Sequence, residues 1–271
     1  MSSLDEACRL FFTPPRARAT AAEQRVIAEA MPLVVPFRGQ DLTGYAWGEG
    51  PSVLLVHGWC GRASQLGAFV QPLVEAGLRV VAVDAPAHGE SPGERSSLFE
   101  FADLVGFLAE REFISRAVIG HSMGAASAVM ALGRGAAVER AVLISPIFRL
   151  RDRVTRFADR SGLGADAERA LVREMEARYG ARAWEDSSLD VIAGDLDVPA
   201  LVVHDRQDAE IPFADGERTA DSWRGARFLA TSGLGHRSLL RDRTVIESVA
   251  RFCIEGGGAW DRRKAVPGSP R

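Results

Sequence analysis

At 271 residues the chain can hold one large α/β domain with a sizeable core, or two small domains. Its formal net charge of −3 gives no cationic excess for nucleic acid or an anionic membrane surface. Cys8, Cys60 and Cys253 are too scattered for a disulfide framework, and no C-x-x-C pair suggests zinc.

The N-terminus lacks the basic and long apolar regions of a secretory signal. No run of residues reaches membrane-spanning length, so a soluble cytoplasmic protein is the expectation. Residues 1–32 read as an amphipathic helical extension, broken at Pro14-Pro15 and packed on the core. Residues 33–37 and 42–47 read as a hairpin turning at Gly39-Gln40-Asp41.

Short apolar strands then alternate with helical segments. Strands are expected at 52–57, 79–84, 116–120, 140–145, 200–204 and 226–230. Helices are expected at 63–75, 99–111, 123–133, 214–223 and 244–253. Runs such as Val53-Leu54-Leu55-Val56 suit strands covered on both faces. The alternation predicts an α/β fold: a mostly parallel sheet with right-handed crossovers and helices on both faces.

One interval breaks the rhythm. The roughly fifty residues between Pro146 and Val198 offer helical periodicity but no strand, and a structureless loop of that length is rare in a compact domain. The expected layout is a core of residues 33–146 and 198–255 with a helical cap at 147–197. Residues 256–271 read as a poorly ordered tail rich in Gly, Pro and charge.

The motif with most chemical content is Gly120-His121-Ser122-Met123-Gly124. It follows an apolar run and precedes a small-residue run, so it lies on a strand-to-helix turn. That is the G-x-S-x-G nucleophile elbow. A side chain at Gly120 or Gly124 would strike neighbouring backbone, and the strained turn would hold the Ser122 hydroxyl out at the carboxyl end of the sheet. The following helix points its first N–H groups at the same place.

A serine nucleophile needs a base and an acid that orients it. His236 sits in a glycine-rich loop after the last strand and can swing toward Ser122. His204 ends a strand and reads as structural. Asp205, Asp208 and Glu210 compete for the acid's place. Asp208 is favoured because it lies in the turn before Ile211-Pro212, whereas Asp205 is placed to cap that turn.

A second oxyanion donor should come from the loop His57-Gly58-Trp59-Cys60-Gly61. Gly58 would permit an unusual backbone conformation, so that the Trp59 N–H joins that of Met123. The Trp59 indole would line the acyl pocket. His57 would brace the loop, and nothing in the local sequence marks the Cys60 thiolate as stabilised.

Val53–Gly61, Asp84-Ala85-Pro86-Ala87-His88-Gly89-Glu90-Ser91, the Ser122 elbow, the Asp208 turn and the Gly235-His236 loop together resemble the α/β-hydrolase superfamily over about residues 33–255. Ala87 departs from the glycine many members carry at that turn, where His88 reads as a turn-stabilising residue. The resemblance implies an esterase-like serine hydrolase with Ser122, Asp208 and His236 as catalytic residues and Trp59 and Met123 as the oxyanion hole. It implies no cofactor and no metal. The implied partner is a small-molecule acyl substrate, with no nucleic acid or membrane partner, and oligomeric state stays open. Thioesterase, carbon–carbon-bond hydrolase and acyltransferase chemistry share these residues, and some members only bind small ligands. A serine at the elbow disfavours dehalogenase and epoxide hydrolase chemistry, which use Asp there.

Within the expected cap, Arg149, Arg153, Arg156 and Arg160 recur at helical spacing beside the apolar stripe Leu150, Val154 and Phe157. They should either face solvent or border the cleft mouth, where they could bind an anionic acyl substrate.

Overall fold

The computed structural model describes residues 3–111 and 113–255. Helices α1 (Ser3–Phe12) and α2 (Ala21–Ala28) precede the hairpin β1 (Met31–Phe37) and β2 (Gln40–Trp47). Next come β3 (Ser52–Val56), a 3-10 segment (Ala63–Phe69) running into α3 (Val70–Glu75), β4 (Arg79–Val83) and α4 (Leu98–Glu110). The elements β5 (Ala117–His121), α5 (Met123–Gly133) and β6 (Arg140–Ile144) follow. Helices α6 (Leu150–Arg160), α7 (Gly164–Tyr179) and α8 (Leu189–Ile192) then fill the interval before β7 (Ala200–Asp205). The chain continues through α9 (Phe213–Ser222), β8 (Arg227–Thr231), α10 (Gly235–Ser238) and α11 (Arg243–Ile254).

The strands form one sheet in the order β1-β2-β4-β3-β5-β6-β7-β8. The pairs β1–β2 and β2–β4 are antiparallel and the rest are parallel. Alternate residues of the central strands feed two cores. Leu54, Val56, Val118 and Val202 pack beneath α4 and α5, while Val53, Leu55, Ile119 and Val203 pack against α3 and α11. Ala, Ser and Gly dominate α5, and every residue from Met123 to Leu132 is buried, so this helix lies close on the sheet. Local signals set several starts. Thr20 and Glu23 make a capping box for α2, and Ser97 and Asp242 cap α4 and α11.

Several boundaries differ from expectation. The hairpin turns on Arg38 and Gly39, with φ of 49° and 75°, and Phe37 pairs with Gln40. Two positive φ values make a tight two-residue turn that matches strand twist, so pairing begins at Gln40 rather than beyond Asp41. β1 starts at Met31, inside the segment read as the extension, because Met31 pairs with Ala46. Residues 63–75 are not one helix. Pro72 has no N–H to donate, a loss tolerated only in a first turn, and an α-helix starting at Val70 places it there. β5 and β7 run one residue further, through the pairs His121–Ile144 and Asp205–Thr231. The expected tail lies outside the described residues.

Candidate active site

β5 ends at His121, and Ser122 takes φ 55° and ψ −117°. A non-glycine residue held there stores about 1–3 kcal/mol of strain, which the surroundings must over-determine. They do so on both sides. A Cβ at Gly120 would lie 2.5 Å from the Gly124 carbonyl oxygen, and one at Gly124 would meet the Val56 and His57 carbonyl oxygens. The Ser122 N–H donates to the Ile144 carbonyl at 2.8 Å, which ties the elbow to β6. Met123 opens α5, and a helix's first N–H has no partner within the helix. Ser122 is only 8% exposed, so it lies deeper than a hydroxyl held out on an open elbow. Side chains of α1 and α6 line the same cleft as Ser122.

At the end of β7 the two competing aspartates separate cleanly. Asp208 Oδ2 accepts a hydrogen bond from His236 Nδ1 at 2.7 Å. Its Oδ1 accepts the N–H groups of Glu210 and Ile211 at 2.8 and 2.9 Å. Burial pushes this carboxyl up. The bonds from His204, His236 and Ile211 outweigh that and hold it far below the usual carboxylate range. An ionised Asp208 can only accept, so His236 carries its proton on Nδ1 and leaves Nε2 as a base. Asp205 does different work. It accepts from Gln207, Leu234 and Gly235 N–H and from the Thr231 hydroxyl, and so pins the loop that carries His236. Glu210 lies on the rim, with its carboxylate 3.9 Å from His236 Nε2 and 3.2 Å from Arg237 Nε.

Two histidines that the sequence did not assign to this assembly support it. The buried His204 directs Nε2 at Asp208 Oδ2, 3.3 Å away, and at the Ile211 carbonyl, 3.2 Å away. The buried His121 donates from Nε2 to the His236 carbonyl at 3.0 Å, and the two rings lie 4.5 Å apart. Burial drives the His121 pKa down to about 3, so its ring is neutral.

The pairs Val56–Gly120 and Val53–Ala117 set β3 beside β5, so the loop after β3 runs next to Ser122. A Cβ on Gly58 would come within 3.0 Å of Ser122 Cβ. Glycine is therefore needed for close approach, not for unusual torsions as expected; the positive φ of this loop, 59°, falls on Cys60. A 3.0 Å bond from Gly61 N–H to the Gly58 carbonyl closes a turn with Trp59 second and Cys60 third. His57 braces it as expected. Nε2 accepts the Ala85 N–H at 3.1 Å, which leaves Nδ1 to donate to the Gly58 carbonyl at 2.8 Å. Burial pushes the Cys60 thiol up to about 11, away from a thiolate. Ala87, the departure from glycine, holds φ 65°, and His88 Nδ1 bonds the Pro86 carbonyl in the same turn.

Ser122, His236, Trp59 and Met123 line one cleft of about 200 Å³. Ile147, Leu150, Phe157 and Met175 form an apolar wall from the segment after β6. Leu10 and Phe11 of α1 complete it, with the Phe11 and Phe157 rings 5.2 Å apart. Their part was invisible in sequence, because it depends on α1 packing against α7. Of the arginine row, Arg153 lines the cleft, Arg149 pairs with Asp190, and Arg160 is exposed. Burial, with Arg156 and Arg160 nearby, lowers the Arg153 pKa. Among the described residues no group of three or more His, Cys, Asp or Glu side chains converges as a metal-ligand set, and no helix is long and apolar enough to cross a membrane.

A mostly parallel sheet whose central strand breaks into a strained serine elbow, with polar loops gathered at the same edge, is the architecture of the α/β-hydrolase class. The chain belongs to the alpha/beta hydrolase family, whose model matches residues 53–248. Among solved structures it is similar to the Pyrococcus furiosus esterase Pf2001, with a TM-score of 0.66 and 20% identity over 88% of this chain and 97% of that one. The Exiguobacterium antarcticum esterase EaEST gives a TM-score of 0.63 and 17% identity over 80% of this chain and 97% of that one. At such identities the likeness concerns the fold. The chain is 35% identical to the Mus musculus sn-1-specific diacylglycerol lipase ABHD11 over 103 residues, 36% of this chain and 34% of that protein. The match thus spans about a third of that relative's length. The Rhodococcus erythropolis non-heme haloperoxidase is 24% identical over 254 residues, covering 76% of this chain and 93% of its own.

Proposed function

We propose that this protein is a serine hydrolase that cleaves an ester-like bond through an acyl-enzyme. The observation that carries this is the 2.7 Å bond between His236 Nδ1 and Asp208 Oδ2 in the cleft that Ser122 floors. Ser122 Oγ attacks the carbonyl carbon, and its proton passes to His236 Nε2. Asp208 stabilises the imidazolium without taking the proton. The tetrahedral oxyanion sits between the N–H groups of Trp59 and Met123, in a site where burial strengthens each hydrogen bond. His236 then protonates the leaving oxygen as its bond to carbon breaks. Water, deprotonated by the same nitrogen, attacks the acyl-enzyme and restores Ser122.

The segment 147–197 acts in this scheme as a cap over the cleft, and α1 as a second cover. Their apolar side chains would exclude water from the acyl pocket. Size favours small acyl substrates, and esters, thioesters and activated acyl donors share the chemistry. The family model matched by residues 53–248 and the His236–Asp208 bond support hydrolysis over mere ligand binding.

The test is turnover of p-nitrophenyl butyrate by purified protein and by Ser122→Ala. The variant should fold, because it removes one oxygen and leaves the Ile144 bond to the backbone N–H. It should lose roughly a thousandfold or more in kcat. Wild-type turnover by a folded Ser122→Ala would overturn the proposal.

A further inference from the structure

Arg149, at the N-cap of α6, and Arg153, Arg156 and Arg160 within it meet different fates in the fold. Arg149 is taken by Asp190. Arg160 is exposed, and neither it nor Arg156 lines the cleft. Arg153 lines the same cleft as Ser122 and His236, beside Leu150 and Phe157. Its Nη1 donates to the Glu210 backbone carbonyl at 2.8 Å, which fixes the direction of the guanidinium.

That bond uses one of five N–H donors. Among the described residues no carboxylate pairs with Arg153 within 4.0 Å. The one acidic side chain in the cleft, Glu210, is held by Arg237 at 3.2 Å. Glu210 and Asp215 act on Arg153 only at longer range, so a guanidinium against apolar walls with no direct ion pair is costly to desolvate. A ligand anion would relieve that cost, and the donors on Nε and Nη2 form a planar fork that fits a carboxylate.

We propose that Arg153 recognises an anion on the substrate, so that the natural substrate is an ester-like compound bearing a carboxylate on its acyl chain. The carboxylate meets the Arg153 fork while the scissile carbonyl lies at Ser122. The apolar side chains between them hold the methylenes that join the two groups. This rests on the serine hydrolase reading for the chemistry, but not for the binding.

The test compares mono-p-nitrophenyl adipate with p-nitrophenyl hexanoate, whose acyl chains match in length and differ by the terminal carboxylate. The readout is the ratio of kcat/KM for the two esters within each protein. Arg153→Met should lower the adipate-to-hexanoate ratio by about tenfold or more, the usual worth of a charge-assisted hydrogen bond. Arg153→Gln keeps a donor for the Glu210 carbonyl, guards against misfolding, and should lower the ratio similarly. Arg160→Ala should change it less than about twofold, because an exposed charge outside the cleft makes no fork contact.

A second arm needs no turnover. Calorimetric titration of Ser122→Ala with the adipate ester should give binding that Arg153→Gln abolishes in the same background. If the wild type hydrolyses neither ester but this binding holds, the anion site stands and the serine mechanism falls. If Ser122-dependent hydrolysis is present and the ratio is unchanged in Arg153→Gln, the anion site falls and the mechanism stands. Absence of binding to Ser122→Ala would likewise overturn the anion site.

Discussion

Asp208 Oδ2 and His236 Nδ1 lie 2.7 Å apart, and the same oxygen faces His204 Nε2 at 3.3 Å. The carboxylate is thus gripped from below and directs the His236 ring from above. The arrangement fixes one tautomer, with the proton on Nδ1 and the lone pair on Nε2 turned to the cleft. The proposed base is therefore set before substrate arrives.

Asp208→Asn should keep the fold and lose roughly ten-thousandfold in kcat, because an amide favours the wrong tautomer. Asp205→Asn should behave differently. It weakens four bonds that pin the His236 loop, so its main effect should be a lower Tm. Ester kinetics and thermal melts on both variants check this. A larger kcat loss in Asp205→Asn, with both proteins folded, would move the acid to Asp205.

The turn at 58–61 permits a clean test of the Trp59 N–H. Its second position accepts proline, which keeps the turn while deleting the N–H. Trp59→Ala removes the indole and leaves the donor. Trp59→Pro should therefore fall about a hundredfold below Trp59→Ala in kcat, the worth of one oxyanion donor. Equal kcat in the two variants would remove Trp59 from the oxyanion hole.

Three buried neutral imidazoles make stability depend on acid. Burial lowers His57 to about 4, and His88 and His121 to about 3. The unfolded chain binds these protons near pH 6.5 and the folded one does not. Their contribution is complete above pH 6.5 and is lost as pH falls toward the folded values. Each imidazole withdraws about 1.4 kcal/mol per pH unit in that window. Urea midpoints should drop steeply from pH 6.5 to 4.5, and less steeply in His88→Gln. Equal slopes in the two proteins would contradict this account.

What the sequence revealed was local. The Ser122 elbow, the Trp59 loop, the Asp208 turn and the His236 loop are each a few consecutive residues whose backbone demands leave a mark in residue type. Gly120 and Gly124 stand where any Cβ would strike backbone, and Asp205 caps the turn its position suggested. Contacts across the chain left no such mark. His204 read as structural because its partner Asp208 is met only after the turn folds back. His121 reaches His236 across 115 residues. Leu10 and Phe11 joined the cleft through packing of α1 on α7. Which arginine of α6 entered the cleft depended on the roll of that helix, which periodicity alone does not set.

The central claim is that Ser122 is an activated nucleophile, and covalent labelling tests it most directly. Intact wild-type protein treated with a fluorophosphonate should gain one phosphonyl group per chain, and peptide mass spectrometry should place it on Ser122. Asp208→Asn should label far more slowly, since its His236 is no longer held as the base. A folded wild-type protein that takes no label, or takes it on another residue, would contradict the account.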